Sequence, residues 1–334
     1  MSSVSAPLAP EHRLARLITL VIVAALAGPA CGHQPWAGAG SEGPRARPND
    51  WHVVTSDHFI VRTDADAAHF DPVIERLEDV HEALSRTFFA GVPLPPIDVL
   101  LFARQSDFEA VAPENLVGFF TPQAHGLPDG LLVFSSEARE FDAVASTAAH
   151  ELAHRFLVAV SERVPTWLHE GFARYVGASQ ILGDLVVFDA KSPPELGFSA
   201  RVPLGRLLAT SSSDFHGADA RNQYLSAWML VRQLLRDPRP ASIARLQKLF
   251  ALSGIAPSPQ AAAAAVSEAF GGLPVADIER ALGASYQDQE SGAPARATLA
   301  VTLRRTGRTP AQVAAAARAQ IRDLCAELRA RHRP

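Results

Sequence analysis

Scarcity narrows the chemistry of this chain first. Cysteine occurs only twice in 334 residues, at Cys31 and Cys325, so a disulfide framework is excluded as the source of stability. Tyrosine occurs three times, which leaves few phenolic hydroxyls for any catalytic role. Positive charge is in no surplus: 31 Lys and Arg stand against 35 Asp and Glu, a formal net charge of −4. Without a basic balance no nucleic-acid partner is expected. No run approaches the roughly 20 apolar residues of a comfortable membrane span.

What is present is globular. Hydrophobic residues make up 48% and charged residues 20%, which excludes wholesale disorder. The length suits one large domain or two of about 150 residues. Twelve histidines are enough to make metal chemistry worth seeking.

The N-terminus reads as an export signal. Residues 11–16, Glu-His-Arg-Leu-Ala-Arg, form a positive start, and Leu17 to Ala27 is apolar apart from Thr19. Small and turn-forming residues follow, Gly28-Pro29-Ala30, and then Cys31. This is the layout of a secretory signal peptide. The four residues 28–31 resemble a bacterial lipobox, which implies a lipid anchor on Cys31, although Gly28 and Pro29 are unusual in it. An ordinary cleaved signal and a cytoplasmic protein with an unusual N-terminus are the alternatives. Residues 32–48, rich in Gly, Pro, Ala and Ser, suit a flexible tether. Residues 1–31 are therefore expected to be a signal peptide, 32–48 a tether, 49–200 an α/β domain and 201–334 a helical part completing a cleft.

Periodicity fills in the elements. Trp51 to Val54 and His58 to Thr63 read as short strands around a Thr-Ser-Asp turn. Between Asp64 and Phe89, apolar residues at 70, 73, 74, 77, 80, 84 and 88 step by three and four, a helix signature. Ile97 to Phe102 is apolar except for Asp98 and reads as a buried strand. Asp107 to Val111 suits a short helix, and Val117 to Phe120 and Leu131 to Phe134 read as strands. Helix follows from Glu137 to about Val160 and, past Pro165, from Trp167 to Val176. Val186 to Phe188 reads as a strand or a loop edge. From Pro203 onward the pattern is helical: 203–211, 221–236, 240–253, 259–270, 274–284 and 309–332. Cys325, in the last of these, reads as a small helix-face residue.

One segment carries chemistry: His150-Glu151-Leu152-Ala153-His154. On a helix, residues four apart lie on one face, so His150 and His154 can offer two imidazole nitrogens to one ion at about 2.0–2.1 Å. Glu151 can reach a water at that ion without binding the ion itself. A zinc ion lowers the pKa of such a water towards about 7, and a nearby carboxylate takes its proton. Random order of this composition would give the pattern about 0.02 times per chain, so chance is a weak explanation. A catalytic zinc site has three protein ligands and one open position. The metzincin pattern needs Gly and then His beyond the second histidine; Leu157 and Val160 stand there, so that branch is excluded. A Glu on a following helix is the alternative, and Trp167-Leu-His-Glu170-Gly-Phe-Ala-Arg-Tyr175 provides one. The Val164-Pro165-Thr166 turn lets the second helix reverse, so that Glu170 can point back at the ion.

His-Glu-Leu-Ala-His followed by Trp-Leu-x-Glu-Gly-x-Ala-x-Tyr resembles the gluzincin metallopeptidases of the peptidase MA superfamily, closest to uncharacterised exported bacterial gluzincin-like proteins. The resemblance covers roughly residues 51–237, including Ser56-Asp-His-Phe-x-Val61 and Tyr224-Leu-Ser-Ala-Trp228. It implies an α+β fold with a small mixed sheet and zinc-binding helices, followed by an all-α C-terminal part. It also implies one Zn2+ ion held by His150, His154 and Glu170, with Glu151 as general base in peptide hydrolysis. His169 departs from the Asn often found before the ligand Glu.

A hydrolase of this kind also needs a group to stabilise an oxyanion. Related enzymes use a Tyr or His after the zinc motifs, and Tyr224 is the candidate here, with His216 and His125 as alternatives; Tyr175 reads as packing. A carboxylate or carbonyl is expected to orient each ligand histidine. The expected partner is a peptide or protein, held beside the zinc helix by strand addition to the sheet edge in the resembled fold. Two alternatives stay open: a non-catalytic, zinc-containing binding lipoprotein, and an amidase acting on peptidoglycan peptides.

Overall fold

The computed structural model describes residues 51–112, 118–122, 130–137, 141–161, 163–190, 201–236, 240–253, 258–290 and 299–303. The export signal, Cys31, the tether, His125 and the 309–332 helix with Cys325 lie outside the described residues. No helix among them is long and apolar enough to cross a membrane.

The fold is α+β. Strands β1 (His52–Thr55), β2 (Phe59–Thr63), β3 (Ile97–Phe102), β4 (Gly118–Thr121) and β5 (Leu131–Ser135) form one sheet in the order β1-β2-β3-β5-β4. The two pairs inside the sheet, β2–β3 and β3–β5, are parallel. The outer pairs, β1–β2 and β4–β5, are antiparallel. Helix α1 (Ala67–Thr87) crosses between β2 and β3, as a parallel connection requires. Its N-cap is Asp66, whose carboxylate accepts from the His69 backbone N–H, satisfying a donor that the first turn leaves orphaned.

Alternation along the central strands divides the sheet into two faces. Ile97, Val99 and Leu101 of β3, with Leu132 and Phe134 of β5, join the main apolar core. Leu100, Phe102, Leu131 and Val133 turn to the opposite face and pack with Phe108 of the short helix α2 (Gln105–Glu109). The one interruption in β3, Asp98, forms an ion pair with Arg62 on the adjacent strand β2. The charge that breaks the apolar run is thus neutralised across the parallel ladder.

Helices α3 (Phe141–Val160) and α4 (Thr166–Gly177) follow. Pro165 at the N-cap of α4 turns the chain, and the helices pack antiparallel. Gly177 accepts from Ser146 Oγ through its carbonyl at 2.6 Å, while His169 meets His154 at the other end of the pair. Every residue of α4 from Trp167 to Gly177 except Arg174 is buried. Its second neighbour is α7 (Ala220–Leu234). A Cβ at Gly171 would stand 2.6 Å from the Ala227 carbonyl oxygen, so glycine is what lets these two backbones touch.

The remaining helices are α5 (Leu204–Ala209), α6 (Ser212–Phe215), α8 (Pro240–Ser253), α9 (Pro259–Ala269) and α10 (Val275–Glu290). The C-terminal part departs from all-α in one respect. Strand β8 (Ala300–Thr302) pairs with β7 (Leu185–Val187), which forms a hairpin with β6 (Gln180–Leu182). The hairpin turns on Gly183 at φ 60°. Its strands are three residues long; β7 falls at the expected strand or loop edge at Val186 to Phe188, whereas β6 is too short for alternation to announce it. Just past β7, buried Asp189 accepts from Trp228 Nε1 at 2.8 Å and from Arg232 Nε at 2.6 Å, tying the hairpin to α7. The main apolar cluster runs unbroken from Phe59 to Leu303.

Candidate metal centre

Helix α3 presents His150 and His154 on one face because four residues make just over one turn. Helix α4 faces them with Glu170, one turn in from its start at Thr166. His150 Nε2 and His154 Nε2 lie 3.1 Å apart. Glu170 Oε2 is 3.4 Å from the first and 3.5 Å from the second. An ion with ligand bonds of about 2.0–2.1 Å at tetrahedral angles needs donor atoms about 3.3–3.4 Å apart, and this triangle matches that. Glu170 Oε2 is also buried without a hydrogen-bond partner, an arrangement that costs free energy unless something positive meets it. These three side chains are close enough to hold a metal ion.

The electrostatics agree. Burial pushes the Glu170 carboxyl upward, but the facing His154 and His150 outweigh burial and hold it well below the usual carboxylate range. Burial pushes His154 downward, yet the Glu170 carboxylate, helped by Glu151, holds it above its ordinary value. The cradle is therefore an anion lodged among nitrogens that attract a cation, either a proton or a metal ion. His150 keeps 23% side-chain exposure against 4% for Glu170, so the cradle opens on the His150 side. Gly177 passes beneath: a Cβ there would stand 3.2 Å from His150 Cβ.

No known protein family matches the chain, and no curated protein matches it closely enough to mark a relationship.

Glu151 lies one residue past His150 and is buried, at 9% exposure. Tyr224, the oxyanion candidate, sits near the start of α7, the helix that packs on α4. Its hydroxyl lies 3.1 Å from His216 Nδ1, and its ring meets Phe215 edge-on at 5.1 Å between centroids. Two of the substrate-side candidates are thus joined in one pair. Tyr175 stacks on Phe188 at 6.1 Å, a packing role, and burial raises its phenol above the ordinary value.

The expected carboxylate or carbonyl beside each ligand histidine is corrected at His154. Its Nδ1 lies 3.2 Å from Nδ1 of His169, so its partner is another imidazole. Burial, reinforced by the His154 charge, pushes His169 down to about 3, which keeps it neutral. The motif gave no positive signal for this role, because a histidine before the ligand Glu reads only as a departure.

The sheet edge nearest the cradle is β4. A Cβ at Gly118 would stand 2.7 Å from Thr147 Cγ2, so β4 lies against α3 about one turn before His150. Strand β5, which leads into α3, is interior to the sheet.

Proposed function

We propose that this protein is a zinc metallopeptidase of gluzincin type, exported and anchored to the cell envelope through Cys31. The observation that carries the reading is the donor triangle of His150, His154 and Glu170, with Glu151 adjacent on the same helix. A bound zinc ion would polarise a scissile carbonyl and acidify an attacking water. Glu151 would accept the proton of that water and pass it to the leaving amine, a role a purely structural site would not need. His150 and His154 would face the ion through Nε2 and Glu170 through Oε2. Tyr224 would donate its hydroxyl hydrogen to the developing oxyanion, with His216 setting the direction of that hydroxyl. An extended peptide would pair with the outer edge of β4, the edge that runs beside α3.

The test uses the full chain and its Glu151→Gln variant, with metal measured by mass spectrometry and cleavage measured on a peptide library. The expected result is one zinc per chain in both proteins, with hydrolysis reduced by about 10²–10⁴-fold in the variant. Zinc in both and cleavage by neither would establish the non-catalytic binding reading instead. No zinc in either would overturn both readings.

A further inference from the structure

We propose that His169 is a positioning residue for the metal centre: its imidazole accepts a hydrogen bond from His154 and thereby fixes the tautomer and ring plane of that ligand. The inference rests on the metal-binding reading of the cradle and deepens it.

Two Nδ1 atoms 3.2 Å apart share one proton between them. Which ring carries it follows from the other edge of His154. Its Nε2 points into the donor triangle, 3.1 Å from His150 Nε2 and 3.5 Å from Glu170 Oε2. A nitrogen that binds a metal ion must present a lone pair, so the His154 proton is on Nδ1. His169 Nδ1 is then the acceptor, and its own proton is on Nε2. The rings lie 5.4 Å apart at 29°. His154 is 9% exposed and His169 8%, so bulk water is poorly placed to replace the acceptor. Without it, the His154 N–H would be a buried donor with its bond unmade.

The chemistry of the acceptor matters as well as its presence. A carboxylate in this place would add a third negative charge beside Glu170 and Glu151. A bound dipositive ion would balance those two, and a further anion would blunt its pull on substrate. Imidazole orients the ligand while adding no charge. Because His169 directly precedes Glu170 on α4, the turn that delivers the third ligand also delivers the acceptor for the second, so the two arrive in register.

The geometry also names the rescuing variant. In asparagine, Oδ1 stands the same number of bonds from Cβ as Nδ1 does in histidine, and it accepts without charge. The test compares the full-length wild type, His169→Asn and His169→Leu. Zn2+ affinity is read by chelator competition. The exchangeable ligand imidazole protons are read by paramagnetic proton NMR on the Co2+-loaded proteins. His169→Leu is expected to weaken zinc binding by about 10–100-fold and to lose protection of one exchangeable imidazole proton. His169→Asn is expected to stay within about threefold of wild type and to keep that proton. Wild-type affinity in His169→Leu, or affinity in His169→Asn as weak as in His169→Leu, overturns the proposal. Absence of binding by the wild type overturns the metal reading itself, which separates the two failures.

Discussion

His81 makes the stability of this protein depend on pH in a way that a single substitution isolates. It lies on α1, is 5% exposed, and has both ring nitrogens buried without hydrogen-bond partners. It stacks on His58 at 3.8 Å and packs against Phe59 and Phe156. Beside it, Glu78 accepts from the His58 backbone N–H at 2.9 Å and from the His58 ring at 2.6 Å. Burial, and then the His58 charge, lower the His81 pKa from 6.5 to about 4, against a smaller upward pull from Glu78. A base depressed in the folded state favours the fold while it is neutral. That stability is present in full above about 6.5 and is lost as pH falls through the window down to about 4, because the unfolded chain takes up the proton first. Between pH 7 and pH 5 the loss comes to about 2 kcal/mol. Asp189 works the other way: burial raises its carboxyl to about 6, so it adds about 1 kcal/mol of stability as pH falls over the same range. The wild type alone therefore mixes opposing effects, and subtraction is needed. Urea unfolding of wild type and His81→Leu, at pH 7 and pH 5 in excess chelator, supplies it. The variant should be more stable by about 1 kcal/mol at pH 7, since leucine leaves no buried donor unmade. It should also lose about 2 kcal/mol less than wild type on acidification. Equal losses in the two proteins would refute the reasoning.

Two further outcomes follow from the packing of α7. Gly171→Ala should destabilise the protein by about 1–3 kcal/mol, because the new methyl meets the Ala227 backbone; a thermal melt reads this. Helix propensity alone predicts a gain of about 1 kcal/mol, so even the sign is diagnostic, and weaker zinc binding should accompany it as Glu170 shifts. Tyr224→Phe should lower kcat by about 10²–10³-fold with KM little changed if its hydroxyl meets the oxyanion; wild-type kcat would remove it from the mechanism.

The parts of this fold that sequence made legible are those where one local rule dominates. Helix α1 announces itself through apolar steps from Phe70 to Phe88, and β3 through an apolar run that its burial explains. His150, His154 and Glu170 were legible because metal geometry constrains spacing tightly, and the donor triangle brings them together as expected. Other features depend on contacts far apart in sequence. Strand β6 is too short for periodicity, β7 was legible only as a strand or loop edge at Val186 to Phe188, and β8 owes its pairing to a partner more than a hundred residues earlier. The imidazole beside His154 is visible only once α3 and α4 are packed. The pairing of Tyr224 with His216 likewise depends on how α6 meets α7. The proposals of export and lipidation rest on the sequence before Trp51 alone.

The contact between Gly171 and Ala227 bears on how portable this centre is. Helix α4 is hemmed in on two sides: one holds Glu170 to the histidines, and the other lies against α7 at backbone range. A fragment ending near residue 200 would contain all four motif residues and still leave that second side bare. Its apolar surface would favour self-association over a fixed position for Glu170. Grafting the two motif helices onto another scaffold would fail for the same reason unless a small-residue partner helix came with them. Any transferable unit must therefore include α7 as well as the two helices that carry the metal donors.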